Sequence, residues 1–224
     1  MYKKVILSSG GFKTEGYLEE LIKTMEKTNS DTIFYGSSMG AFWAVGASFG
    51  KEMLMKMIIQ GKQYVEEVRT SWFSNLGTCK TRMREIMVNT LPEDISAIQN
   101  RCIIQLTELS FKRPFLRPLQ ISVYENKEDL INAVLSSMYV PIYSSLDFVH
   151  YFRGKCVIDG CLSQGDSYET INPCKILEYN KIKHSYRYCP FIEFLFPIIK
   201  EDGIHIDERF QNSNNFQNKY DKSD

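Results

Sequence analysis

The stretch Asp31-Thr-Ile-Phe-Tyr-Gly36-Ser37-Ser38-Met39-Gly40-Ala-Phe-Trp-Ala-Val45 constrains the fold more than any other part of this chain. Thr32 to Tyr35 is an apolar, strand-prone run, and Ala41 to Ala47 is mostly small and apolar, suited to a buried helix. Between them stands the pattern G-x-S-x-G, which reads as a sharp turn from strand to helix with Ser38 at its apex. Gly36 and Gly40 remove side chains that would collide where strand and helix fold past each other. The Ser38 hydroxyl then projects from the turn above a helix N-terminus, whose free N–H groups and dipole favour negative charge. Ser38 is thus a candidate acyl acceptor; the rival is a glycine-rich connection with an incidental serine.

A second unit of the same kind precedes it. Lys4-Val-Ile-Leu-Ser8 reads as a buried strand, Ser9 to Thr14 as a permissive loop, and Glu15 to Glu26 as a helix through Leu18, Leu21, Ile22 and Met25. Repeated β-loop-α units predict an α/β fold with a mostly parallel central sheet flanked by helices. Downstream, Lys51 to Val68 reads as a methionine-rich core helix, with an acyl-lining wall at residues 53–59 as the sharper alternative. Lys80 to Met87 is helical, and Leu91-Pro-Glu-Asp suggests the start of a further helix with proline in its first turn. Arg101 to Glu108 and Pro118 to Tyr124 resemble two strands of a hairpin whose tip, Phe111 to Arg117, is basic and bent by proline. Asn126 caps a helix that ends near Met138, before Pro141. Lys155 to Ile158 is a short strand running into Asp159-Gly160. Residues 1–210 are expected to form one domain, and the Asn/Gln/Ser/Lys-rich residues 211–224 a solvated tail.

Composition narrows the function. Acidic and basic residues number 27 each, which argues against a nucleic-acid binder built on a basic surface. The three histidines, His150, His184 and His205, form neither H-x-x-x-H nor H-E-x-x-H, so a zinc hydrolase is not expected. The six cysteines contain no C-x-x-C pair and read as mostly reduced. Val5-Ile-Leu is too short for the apolar core of a signal peptide, and no stretch approaches the roughly 20 apolar residues that cross a bilayer. An intracellular protein is expected.

A serine hydroxyl needs a proton acceptor. None of the histidines has a convincing setting, whereas Asp159, at a strand end beside a flexible Gly160, does. A carboxylate is a weak base at its usual pKa of about 3.9, and partial burial would raise that value. Acyl transfer also requires donors for the developing oxyanion. Gly10-Gly11, between a strand and a helix, offers unhindered N–H groups, with Lys13 adding positive charge. A phosphate-binding loop is disfavoured, because G-x-G-x-x-G and G-K-[ST] are both absent.

Together these elements resemble the patatin-like phospholipases and acylhydrolases. The Gly-Gly-x-Lys loop after the first strand, the G-x-S-x-G elbow after the next and the late Asp-Gly carry the likeness. The segments Asn126 to Ser145 and Tyr151 to Gly160 are similar to the adiponutrin-like branch, and order and spacing agree over roughly residues 4–162. The resemblance implies a patatin-like variant of the α/β-hydrolase fold. Ser38 would be its nucleophile, Asp159 its base, Gly10, Gly11 and Lys13 its oxyanion loop, and Gly36 and Gly40 its elbow. It implies a lipid acyl hydrolase acting through an acyl-enzyme, with no metal or organic cofactor. Phospholipid or neutral lipid would be the substrate, and the site of action cytoplasmic or peripheral on membranes or lipid droplets. Met39, Phe42 and the 53–59 stretch are candidates to line an acyl channel. Trp72-Phe73, the Phe111–Arg117 loop and residues 194–199 are candidates for membrane contact. The chain departs from the pattern at Ser9 and Thr14, where glycines are usual, at Cys161 after Asp-Gly, and in lacking the Asn-x-Pro that often follows. Those departures leave open a catalytically weak lipid-binding or regulatory protein on the same fold.

Overall fold

The computed structural model describes residues 2–7, 9, 18–70, 77–141, 143–145, 147–163 and 174–177. In chain order they form β1 (Lys4–Leu7), α1 (Leu18–Met25), β2 (Ile33–Ser37), α2 (Met39–Phe49), α3 (Lys51–Thr70) and α4 (Cys79–Thr90). There follow β3 (Cys102–Leu109), β4 (Leu116–Ile121), α5 (Lys127–Ser137), β5 (His150–Phe152), β6 (Lys155–Ile158) and β7 (Cys174–Leu177). The fold is the expected α/β type. Strands β7, β1, β2 and β3 run parallel, and antiparallel β4, β6 and β5 extend the sheet from β3.

The parallel strands owe their position to near-continuous apolar runs, which suit burial on both faces. Val5, Ile6, Leu7, Phe34 and Tyr35 are all buried. Helix α2 lies against β2 and β3, and Met39 through Ser48 are buried all round its surface. A helix without a polar stripe can only sit inside a layered core. Helix α3 packs outside α2, α4 against α3, and α5 beside α4 and across β3. Asn126 caps α5 as expected, its Oδ1 accepting the Asp129 N–H at 2.9 Å.

One expectation fails. Leu91-Pro-Glu-Asp does not start a helix; Leu91 is extended and its N–H closes α4 on the Met87 carbonyl. The residue before a proline is driven out of the helical region, so here the proline marks an end. Only a single 3₁₀ turn, Ser96–Ile98, follows. Strand β5 is not evident from its three residues, but the Arg153-Gly154 turn that joins it to β6 has positive φ at both positions (47° and 76°). That is the signature of a tight hairpin.

The topology around β3 matters most for the site. Strand β4 occupies one edge of β3 from Ile104 to Leu109. The other edge is shared: β2 pairs with it in parallel over Cys102–Gln105, and β6 antiparallel over Thr107–Glu108. Strands β2 and β6 therefore point at each other, C-terminus to C-terminus, along a single edge. Ser37 pairs with Gln105 and Ile158 with Thr107, so one further residue from each strand comes level with Leu106. Those two residues are Ser38 and Asp159.

Candidate active site

Ser38 sits at φ 53°, ψ −133°, a conformation that a residue with a side chain rarely adopts. The turn can close only because Gly36 lacks a side chain: a Cβ there would lie 2.4 Å from the Gly40 carbonyl oxygen and 2.7 Å from the Ala41 Cα. Gly40 stands in the first turn of α2, so both elbow glycines are at the strand–helix crossing. The Ser38 carbonyl accepts the Ala41 N–H at 2.9 Å, and its hydroxyl turns from the helix toward β6.

The Ser38 Oγ donates to Asp159 Oδ2 at 2.7 Å, across 121 positions of sequence. Asp159 is held on every side. Its N–H donates to the Tyr139 carbonyl at 2.9 Å, its own carbonyl accepts from Thr107 Oγ1 at 2.7 Å, and its Oδ1 accepts the Cys161 N–H at 2.9 Å. Both Ser38 and Asp159 are 2% exposed. Burial pushes the Asp159 carboxyl up to about 6, against the opposing pull of the Cys161 N–H and the Ser38 hydroxyl. A carboxylate so placed is a better base toward a hydroxyl than a solvated one, and is still ionised at neutral pH.

Three residues behind the pair carry no sequence motif. Ser137, at the end of α5, accepts the Ser38 N–H at 2.9 Å and donates to the Gln105 carbonyl at 2.6 Å. Gln105, fully buried, takes the Tyr35 hydroxyl on Oε1 and donates from Nε2 to the Gly160 carbonyl at 3.3 Å. Thr107 holds the Asp159 carbonyl as described. The available signal is polarity where burial is expected: Gln105 and Thr107 inside Cys-Ile-Ile-Gln-Leu-Thr, and Ser137 after Leu-Ile-Asn-Ala-Val-Leu. Ser137→Ala leaves one buried donor and one buried acceptor without this partner. It is expected to lower stability by about 1–3 kcal/mol, read as a fall in urea midpoint at constant slope.

His150 does not approach the pair through any of these bonds. Its Nε2 lies 2.8 Å from Ser136 Oγ, its ring stacks on Tyr139, and burial, aided by Lys80, draws its pKa down to about 4. His184 and His205 lie outside the described residues, as do Gly10, Gly11 and Lys13. Strand β1 ends at Leu7, paired with Gly36, two positions before Ser38. Met39, Phe42, Leu54, Met57 and Ile58 belong to the core cluster, Met53 and Met55 pack against it partly buried, and Ile59 is exposed. Trp72-Phe73, residues 194–199 and the 211–224 tail also fall outside the described residues. Cys79, Cys102, Cys156 and Cys161 are free thiols. Among the described residues no three His, Cys, Asp or Glu side chains are grouped to hold a metal, and no helix is long and apolar enough to cross a membrane.

No family model matches the chain. It is 28% identical over 134 residues to human patatin-like phospholipase domain-containing protein 4, covering 58% of this chain and 51% of that protein. It is 32% identical over 133 residues to human omega-hydroxyceramide transacylase, covering 57% of this chain and 24% of that protein. Over 136 residues it is 27% identical to mouse 1-acylglycerol-3-phosphate O-acyltransferase Pnpla3, covering 58% of this chain and 31% of that protein. The chain thus matches about half or less of the length of these curated relatives.

Proposed function

We propose that this chain, which is similar to patatin-like phospholipase domain proteins, is a serine lipid acyl hydrolase working through Ser38 and Asp159. The observation that carries the reading is the buried 2.7 Å hydrogen bond from Ser38 Oγ to Asp159 Oδ2 at a strand–helix elbow. Ser38 Oγ attacks the ester carbonyl as its proton passes to Oδ2. The tetrahedral oxyanion collapses, the protonated Asp159 returns its proton to the leaving alcohol, and an acyl-Ser38 ester remains. Asp159 then takes a proton from water, which attacks that ester, and returns it to the departing Ser38 Oγ as the fatty acid is released. Backbone N–H groups of Gly10 and Gly11, with Lys13 nearby, are the proposed donors to the oxyanion.

The names of two relatives, a transacylase and an O-acyltransferase, favour a second outcome from the same acyl-enzyme. A lipid hydroxyl then replaces water as acceptor, and the product is a new ester. The departures at Ser9, Thr14 and Cys161 support the third alternative, a catalytically weak lipid binder.

The deciding experiment incubates the full chain with a mixed lipid extract, with Ser38→Ala as control. Release of free fatty acid by the parent alone supports hydrolysis, and new esters after adding monoacylglycerol or lysolipid identify transfer. A fluorophosphonate probe is expected to label Ser38. No labelling, with equal product from both proteins, would leave the weak binder standing.

A further inference from the structure

We propose that the β3–β4 hairpin docks the protein on an anionic lipid bilayer, with Phe111 and Phe115 inserted and Lys112, Arg113 and Arg117 against the head groups. The inference rests on the lipid-ester reading above only in that the substrate is lipid; the surface itself is defined by separate residues.

Phe111 is fully exposed and Phe115 is 57% exposed, both on a tip standing beyond the end of β3. Large aromatic side chains left bare together on a projecting tip are uncommon unless something receives them. The tip is folded by its own bonds. The Ser110 N–H donates to the Phe115 carbonyl at 2.8 Å, the Lys112 N–H to Ser110 Oγ at 3.1 Å, and Arg117 to the carbonyls of Lys112, Arg113 and Pro114. The apolar surface continues onto the sheet. Leu116 pairs with Leu109, Cys156 comes beside Leu109 one step beyond the β3–β6 pairing, and Tyr151 pairs with Cys156. That row crosses four strands on one face, and Leu116, Leu109 and Tyr151 are all exposed.

Charge selects the occupant. Ser110 through Tyr124 holds three cations and no acidic residue, in a chain whose total charge is zero. The acid facing Arg117 across the strands, Glu108, is engaged by Lys155 at 2.9 Å. Aromatic groups ringed by cations that meet no acidic side chain among the described residues fit the boundary of an anionic bilayer, where rings enter the acyl region and cations meet phosphate. Pro118 on the outer strand lacks the N–H that an added β-strand would need, which disfavours edge pairing with another protein. The strand direction also suits the proposal. Ser38 and Asp159 are level with Leu106, and β3 runs from there toward the tip, roughly 10 Å to its end at Leu109 at about 3.3 Å per residue.

The test uses the full chain carrying Ser38→Ala, so that no ester turnover enters the readout. It is sedimented with vesicles of phosphatidylcholine alone or with phosphatidylserine, at low and high salt. Binding is expected with phosphatidylserine at low salt and to weaken as salt rises. Lys112→Glu with Arg113→Glu, and separately Phe111→Ala with Phe115→Ala, should each reduce it at least ~10-fold. Emission added by Phe111→Trp, taken as the difference from the parent that already carries Trp43 and Trp72, should shift to the blue only with phosphatidylserine vesicles. No binding to those vesicles, or variants that bind like the parent, overturns the proposal. So does a blue shift without vesicles that grows with protein concentration, because the tip then joins a second copy. With Ser38 restored, Phe111→Ala/Phe115→Ala should keep its activity on a soluble short-chain ester, so a failure of docking and a failure of the esterase reading are seen separately.

Discussion

Asp159→Asn is expected to lose at least about 10³-fold in ester turnover while becoming more stable than the parent at mildly alkaline pH. The two effects share one cause. Asp159 is 2% exposed, and burial raises its pKa from the usual aspartate value to about 6. In the unfolded chain the group titrates near its usual value, so the native state binds the proton more tightly. The stability this linkage supplies is fully present below the unfolded pKa and is lost as pH rises through about 6. Above that pH the folded protein carries a buried carboxylate whose ionisation costs at most about 3 kcal/mol. An asparagine avoids this cost and can still accept the Cys161 N–H on its oxygen, but it cannot take the Ser38 proton. Thermal melts of the two proteins should therefore differ most above pH about 6 and converge toward acid. Over the same window, kcat/KM of the parent should rise with pH through an apparent pKa of about 6 and then level off. A stability gap that does not change with pH, or an Asn variant with parental turnover, would remove Asp159 from the role of base.

Sequence is most legible where one local rule decides the structure. The β1 and β2 runs, the buried α2 and the Asn126 cap follow from hydrophobic pattern and end chemistry, and each lies where those rules place it. The approach of Ser38 and Asp159 is a different matter. Nothing in Lys155-Cys-Val-Ile-Asp-Gly says which strand β6 will meet; its place at a strand end beside Gly160 makes Asp159 a candidate, the resemblance to a known family agrees, and the shared edge of β3 supplies the physical reason. The supporting residues were less visible still. Ser137, Gln105 and Thr107 matter because of what two other segments place beside them, and only their polarity inside apolar runs distinguishes them. The Leu91-Pro-Glu-Asp error has the same origin, because proline near a helix end reads as a start or a stop depending on which side the helix lies. Here α4 had already used the preceding residues.

Gly160→Ala is expected to lower turnover at least ~10²-fold, although a methyl group changes no chemistry. A Cβ at this position would sit 2.0 Å from the Gln105 carbonyl oxygen and 3.0 Å from Ser137 Oγ. Neither can retreat cheaply. The Gln105 backbone is part of β3 where β2 pairs with it, and Ser137 Oγ is bonded to both that carbonyl and the Ser38 N–H. Relief therefore requires the chain after β6 to move outward by about 1 Å or more to restore an ordinary contact. Asp159 is the adjacent residue, so its 2.7 Å bond to Ser38 would lengthen with the shift. Displacements of that size in reacting groups cost on the order of 10² in rate, and overpacking of this kind costs about 1–3 kcal/mol or more in stability. Turnover should thus fall at least ~10²-fold under conditions where circular dichroism shows the variant fully folded, and the urea midpoint should also fall. Gly154→Ala is the matched control. It lies two residues before Cys156 at a positive φ with nothing within 4 Å of a Cβ, so it should lose stability through backbone strain alone and keep its turnover per folded molecule. If both variants lost turnover equally, the close approach of Gly160 to β3 would not be what holds Asp159 against Ser38.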